Sequence, residues 1–212
     1  MLAGTALDDA LTAKVNTRPA SVQYFRAIPM AWDFDPLGRG RPISDMRFNR
    51  SGGARVLYLG ESPTLCMDEA QAVGFPAAGM ICVPVEARLE SILDLRDVAT
   101  RRTLGLKLTD VQLNFRGPNK TGIVTDMQVL GERCNALKAI DGIHYPSAAP
   151  LWHAKAGGSC LAVLEGNLRP SKAEVVVRVQ LDANGAPKQF PVPAGRVGPP
   201  AGLPSGVWDR LP

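Results

Sequence analysis

The stretch Arg47-Phe48-Asn49-Arg50-Ser51-Gly52-Gly53-Ala54-Arg55-Val56-Leu57-Tyr58-Leu59-Gly60-Glu61-Ser62-Pro63-Thr64-Leu65-Cys66-Met67-Asp68-Glu69 decides how this chain folds. It reads as a polar turn, a short apolar strand and the opening of a helix. The Ser62 hydroxyl can accept one of the backbone N–H groups that a helix start leaves over, and Pro63 suits the first helical position, where a missing N–H costs nothing. Counted from that cap, Leu65, Cys66, Glu69, Ala70 and Val73 fall on one face, while Asp68 and Gln71 point elsewhere. Glu69 therefore stands inside the apolar stripe. An unpaired carboxylate there is expensive, so Glu69 must be paired, desolvated or turned into a cleft.

Working outward, Val22 to Ile28 has the β-branched and aromatic content of a strand, with Val22, Tyr24, Arg26 and Ile28 on one face. Pro29 to Pro42 is a Gly/Pro/Arg loop long enough to close over a site. Downstream, Gly79 to Val85 reads as a strand that Pro84 places at an edge or bulge. Ser91 to Leu95 reads as a short strand and Val98 to Leu104 as a short helix. After a polar loop from Phe115 to Thr121, Thr125-x-x-Gln128 has the form of a capping box opening a helix to about Leu137. Asp141 to Ser147 leads into a strand end, and Cys160 to Leu164 is another strand. Glu174 to Leu181 and Lys188 to Val192 are strands about an Asn184-Gly185 turn, before a proline-rich tail.

The whole chain of 212 residues is 45% hydrophobic and 21% charged, enough for one substantial core. Its net charge is +4, but the basic residues are scattered and form no dense stripe for nucleic acid, which favours acidic small molecules or an acidic partner. No apolar run approaches the roughly 20 residues of a membrane span, and Asp8 and Asp9 interrupt any secretory leader. The four cysteines form no C-x-x-C pair and there are two histidines, which argues for reduced thiols in the cytoplasm and against a metal site. No dinucleotide or P-loop glycine pattern occurs between a strand and a helix. The expected fold is a compact α+β single domain with split, mainly antiparallel sheets. Residues 1–20 form an N-terminal helix and linker, 21–168 the main domain, and 169–212 a strand or hairpin extension with the tail.

Tyr24-Phe25-Arg26, the run from Arg47-Phe48-Asn49 through Tyr58-Leu59 to Glu69, and Asp141-Gly142-Ile143 with Tyr145-Pro146-Ser147 resemble, in that order and at similar spacing, the RES-domain family. That family is named for its Arg, Glu and Ser, and its members are the toxin halves of bacterial Xre–RES toxin–antitoxin pairs. The resemblance covers residues 22–165. It implies a fold like the mono-ADP-ribosyltransferases of the diphtheria-toxin type, with NAD+ as substrate in a cleft of the split sheet and no metal. It also implies an Xre-type antitoxin covering that cleft, with neither membrane nor nucleic acid as a direct partner.

Cleaving the nicotinamide–ribose bond passes through a ribosyl cation, so the site must grip phosphate, shield nicotinamide and place negative charge near the cation. The resemblance gives Glu69 the cation, Arg26 phosphate or the nicotinamide-side ribose, and Ser147 a positioning hydrogen bond; these three are the expected catalytic residues. Arg47 is the second anion clamp, Tyr58 a ring face for nicotinamide or ribose, and Asn49 a further binding residue. Each has an ordinary structural counterpart: Tyr58 as core, Asn49 as a turn former, Ser147 as a cap, Arg26 and Glu69 as an ion pair. The family often carries tryptophan where Phe48 stands, and Gly157 to Cys160 matches its Gly-x-Asn stretch only loosely. The extension after Arg169 leaves room for a ParT-like member that ADP-ribosylates a metabolic enzyme similar to phosphoribosyl pyrophosphate synthetase. The alternatives are an NAD+ glycohydrolase or phosphorylase that modifies no protein, and a non-enzymatic binding module.

Overall fold

The computed structural model describes residues 1–16, 20–29, 45–72, 80–113, 121–148, 158–168, 174–180 and 187–191. The loop after Pro29, the loop before Thr121, the Asn184-Gly185 turn and the proline-rich tail lie outside these residues. The helices are α1 (Gly4–Lys14), α2 (Pro63–Ala72), α3 (Val98–Thr103), α4 (Leu108–Val111) and α5 (Asp126–Leu137). The strands are β1 (Val15–Asn16), β2 (Ala20–Pro29), β3 (Val56–Gly60), β4 (Met80–Leu89), β5 (Ile92–Asp94), β6 (Gly142–Pro146), β7 (Ser159–Leu164), β8 (Glu174–Gln180) and β9 (Pro187–Pro191).

These strands form one sheet in the order β1-β5-β6-β7-β3-β2-β4-β8-β9, antiparallel except for β5 beside β6. The expected pair of split sheets is thus a single sheet, and its weak point is the seam between β2 and β3. There the register holds only Phe25↔Gly60, whereas β2 and β4 pair along their whole length from Ala20↔Leu89 to Pro29↔Met80. Beyond Gly60 the edge of β2 is taken by α2. The Ala27 N–H donates to Cys66 Sγ at 2.8 Å, and the thiol donates to the Phe25 carbonyl at 3.2 Å. Gly60 permits this approach, because a Cβ on it would stand 3.1 Å from the Cys66 backbone.

Pro84 marks a local edge, as expected, and not a bulge. β4 is an interior strand between β2 and β8, and Phe25↔Pro84 lies within an unbroken register. The residue is tolerated because the β4–β8 ladder covers Val85 to Arg88 and stops short of the position without an N–H.

One face of the sheet carries the larger core, where Leu7 and Leu11 of α1 and Leu130 and Cys134 of α5 pack on Phe48, Ile143, Tyr145 and Ala162. Each such large side chain, fully buried, contributes roughly 1.5–3 kcal/mol. On the other face a second cluster joins Tyr24, Ile28, Leu57, Leu59, Val83, Val85 and Leu161. α5 starts at the expected capping box, with the Thr125 side chain accepting from Gln128 N and the Gln128 side chain accepting from Thr125 N. It runs close to the 45–50 turn because Gly131 has no side chain: a Cβ there would lie 2.0 Å from the Phe48 carbonyl oxygen.

Candidate active site

α2 begins as its sequence requires. Ser62 Oγ accepts the Leu65 N–H at 3.1 Å, and Pro63 is the first helical residue. Leu65 and Cys66 are buried and Glu69, one turn on, is half-buried. Asp68 departs from expectation: only 5% exposed, it is more buried than Glu69. α2 packs against β2, β3 and β4 together, so its covered arc is wider than a single stripe.

Ser147 stands 1% exposed just past the end of β6. Its backbone is held on both sides: its N–H donates to the Gly158 carbonyl at 2.8 Å, and its carbonyl accepts from Gln112 Nε2 at 2.7 Å. So fixed, Ser147 Oγ donates to Glu69 Oε1, and the Ala148 N–H donates to the same oxygen at 3.1 Å. Two segments 78 residues apart in sequence thus meet at one carboxylate. A donor pair of backbone N–H and hydroxyl holds Glu69 in one orientation.

Arg26 lies on β2 between Tyr24 and Ile28, both buried, and is itself half-buried. The neighbouring Cys82 thiol and burial push the Cys66 thiol pKa up, while the Arg26 charge pulls it down. Glu69 and Ser147 meet near the seam where β2 and β3 part, while Arg26 stands on β2 in the row of Tyr24 and Ile28.

Arg47, Asn49 and Tyr58 form a second group. Arg47 is 3% exposed and donates through Nη1 to the carbonyls of Val111 and of Leu113, the latter at 3.1 Å. Its guanidinium carbon sits 5.7 Å from the centroid of the Tyr145 ring. The Tyr58 hydroxyl accepts the Phe48 N–H and donates to Asn49 Oδ1, both at 2.9 Å. Phe48 packs edge-on to Tyr145 with centroids 4.9 Å apart and lies nearly parallel to Tyr58 at 6.5 Å. The two groups share a wall. Burial raises the pKa of both Tyr145 and Cys160, and on each of them Glu69 pushes further up while Arg47 pulls down.

Sequence reasoning missed several neighbours. Gln112 gives no signal of its grip on Ser147. His144, between Ile143 and Tyr145, faces the opposite side of β6, where its Nε2 is 3.0 Å from the Tyr24 hydroxyl. Burial and then the Arg96 charge lower its pKa to about 4. Arg96 is itself held by Asp94 through Nε at 2.9 Å and Nη2 at 2.7 Å. Among the described residues no three His, Cys, Asp or Glu side chains cluster to hold a metal ion, and no helix is long and apolar enough to cross a membrane.

This α+β architecture is that of a solved toxin–antitoxin structure, the M. tuberculosis MbcT–MbcA complex. The match, at 21% identity, covers 89% of this chain and 93% of that one with a TM-score of 0.58. No curated protein matches the chain. The RES domain family matches residues 23–185, more than half of the sequence, and the chain belongs to that family.

Proposed function

We propose that the protein cleaves the nicotinamide–ribose bond of NAD+ and transfers ADP-ribose to a protein acceptor, as the toxin of a toxin–antitoxin pair. The observation that carries this reading is the Glu69 carboxylate, oriented by Ser147 Oγ and Ala148 N at the parting of β2 and β3. Membership of the RES family and the likeness to a toxin–antitoxin structure support it.

As the C1′–N bond breaks, its electron pair leaves with nicotinamide and positive charge grows on the ribose. A carboxylate already fixed in place stabilises that charge without reorganising, which is where electrostatic catalysis is largest. Ser147 and Ala148 keep Glu69 aimed, and Arg26, on the neighbouring strand, supplies the planar fork for a phosphate or ribose oxygen. Arg47 adds positive charge behind the Tyr145 ring, as the second anion clamp. Tyr58 and Asn49 shape the wall against which the nicotinamide-side ribose rests.

In this reading residues 21–168 hold the catalytic domain and 169–212 extend it. The protein works in the cytoplasm, and an Xre-type antitoxin blocks the cleft. The acceptor is a metabolic enzyme of the phosphoribosyl pyrophosphate synthetase kind. Incubation with [32P]-NAD+ and a cell extract separates transfer from degradation. Label on a protein band supports transfer; label found only in free ADP-ribose or its phosphate replaces it with a glycohydrolase or phosphorylase.

A further inference from the structure

Glu61 is a second carboxylate, beside the glycine that holds Ser147. It follows β3 directly and is exposed, and its N–H donates to the Ser159 carbonyl at 3.0 Å. That bond ties the start of the β3–α2 turn to β7. The side chain does not simply extend into water. A Cβ built on Gly158 would stand 2.7 Å from Glu61 Oε1 and 2.7 Å from Leu65 Cδ2, so the carboxylate lies over the bare backbone of Gly158. The Gly158 carbonyl is the group that accepts the Ser147 N–H. Glu61 and Glu69 thus flank the Ser147–Gly158 bridge, one exposed and the other half-buried. Both bear on the buried Cys160 thiol, raising its pKa beyond what burial already does.

Arg96 is gripped by Asp94 through two side-chain bonds. Its charge and that of Glu61 still influence each other and the Tyr24–His144 pair, which places Glu61 where the two polar groups of this end of the sheet meet.

We propose that Glu61 is the general base that deprotonates the ADP-ribose acceptor as it enters from solvent. This rests on the NAD+ reading above. Glycosidic chemistry of this kind divides between one carboxylate that stabilises the cation and another that activates the incoming nucleophile. Glu69, oriented by two donors, suits the first task, and exposed Glu61 the second. The step balances: the C1′–N bond breaks with its electrons going to neutral nicotinamide, a bond forms from C1′ to the acceptor oxygen or nitrogen, and the acceptor proton passes to Glu61. Gly158 belongs to this arrangement, since any side chain there would displace the carboxylate.

The test measures nicotinamide release by wild type, Glu61→Gln and Glu69→Gln, each with and without sodium azide, alongside the thermal shift produced by NAD+. Azide is a nucleophile that needs no deprotonation. The expected result is a Glu61→Gln enzyme that binds NAD+ as wild type does and is slowed about 100-fold, the lower range for loss of a general base. Azide restores its release and yields ADP-ribosyl azide, but does not restore Glu69→Gln. An active wild type with an unimpaired Glu61→Gln overturns the proposal while leaving the NAD+ reading intact, as does a slowed Glu61→Gln that azide fails to rescue. A wild type that releases no nicotinamide even with azide or a cell extract present as acceptor removes both.

Discussion

The two polar groups that meet behind Tyr145 are built differently. In the Phe48–Tyr58 wall the polar atoms are turned to the backbone around them. Arg47 holds the carbonyl that ends α4 and another two residues further on, and Tyr58 ties Phe48 to Asn49. Gln128 of α5 donates to the Met46 and Asn49 carbonyls at 3.1 and 3.5 Å, closing the block from the helix side. At the β2–β3 seam the arrangement is reversed. There the backbone of Ser147 and Ala148 is fixed from outside so that it, and the hydroxyl, can hold a side chain, Glu69. One group uses side chains to hold a fold, and the other uses the fold to aim a side chain. Polar residues that look equivalent in a motif can therefore differ in what their loss does: stability in the wall, turnover at the seam.

Substitutions can break that contrast. The largest stability effect is expected from Arg47→Ala, which strips the donor from the Val111 and Leu113 carbonyls in a buried setting. A loss of about 3 kcal/mol in urea unfolding is the expected outcome. An Arg47→Ala protein of wild-type stability that has lost NAD+ binding would make Arg47 an anion clamp with no part in the wall. Next is Gly131→Ala. Alanine is the better helix former, yet its methyl meets the Phe48 carbonyl, and crowding of this kind costs about 2 kcal/mol. A stabilised Gly131→Ala would mean that α5 and the 45–50 turn are not in contact. Tyr58→Phe removes one hydroxyl and two hydrogen bonds, for about 1 kcal/mol, with turnover nearly kept. A large fall in turnover at unchanged stability would instead give the Tyr58 hydroxyl a direct part in the reaction.

The last effect concerns pH. His144 titrates near 4 in the folded protein against about 6.5 unfolded, so between these values the unfolded chain binds more protons. Stability from this residue is complete above about pH 6.5 and declines as pH falls toward 4. The midpoint of thermal unfolding should drop over that window, and His144→Gln should flatten the drop. An equal slope in both proteins would remove His144 as its source.

What could be read from the residues was local. Ser62 with Pro63 fixes the start of α2, and Thr125 with Gln128 fixes the start of α5, because caps are settled within a few residues. The alternation around Arg26 placed it between buried neighbours, as found. Family order put Glu69 and Ser147 in one site but gave the Ser147 hydroxyl to the substrate; its bond to Glu69 was not legible, since helical periodicity showed only that Glu69 needed company. The rest depends on contacts distant in sequence. The seam, with a single pair where two sheets were expected, follows from Cys66 taking the edge of β2. Asp68 is buried because three strands pack against α2, and Pro84 lies at a local edge of β4 because β8 stops short of it. Gln112 and Gly158 have no local signature, for their part is to hold the backbone of Ser147.

The central claim is that Glu69 at the seam carries chemistry while the wall carries the fold. Its most direct test is nicotinamide release from NAD+ by wild type and Glu69→Gln, with unfolding measured on the same samples. The account predicts release by the wild type, a fall of about 100-fold or more in Glu69→Gln, and nearly equal stability of the two. Equal turnover by both proteins, or a Glu69→Gln variant that is inactive only because it unfolds, would contradict it.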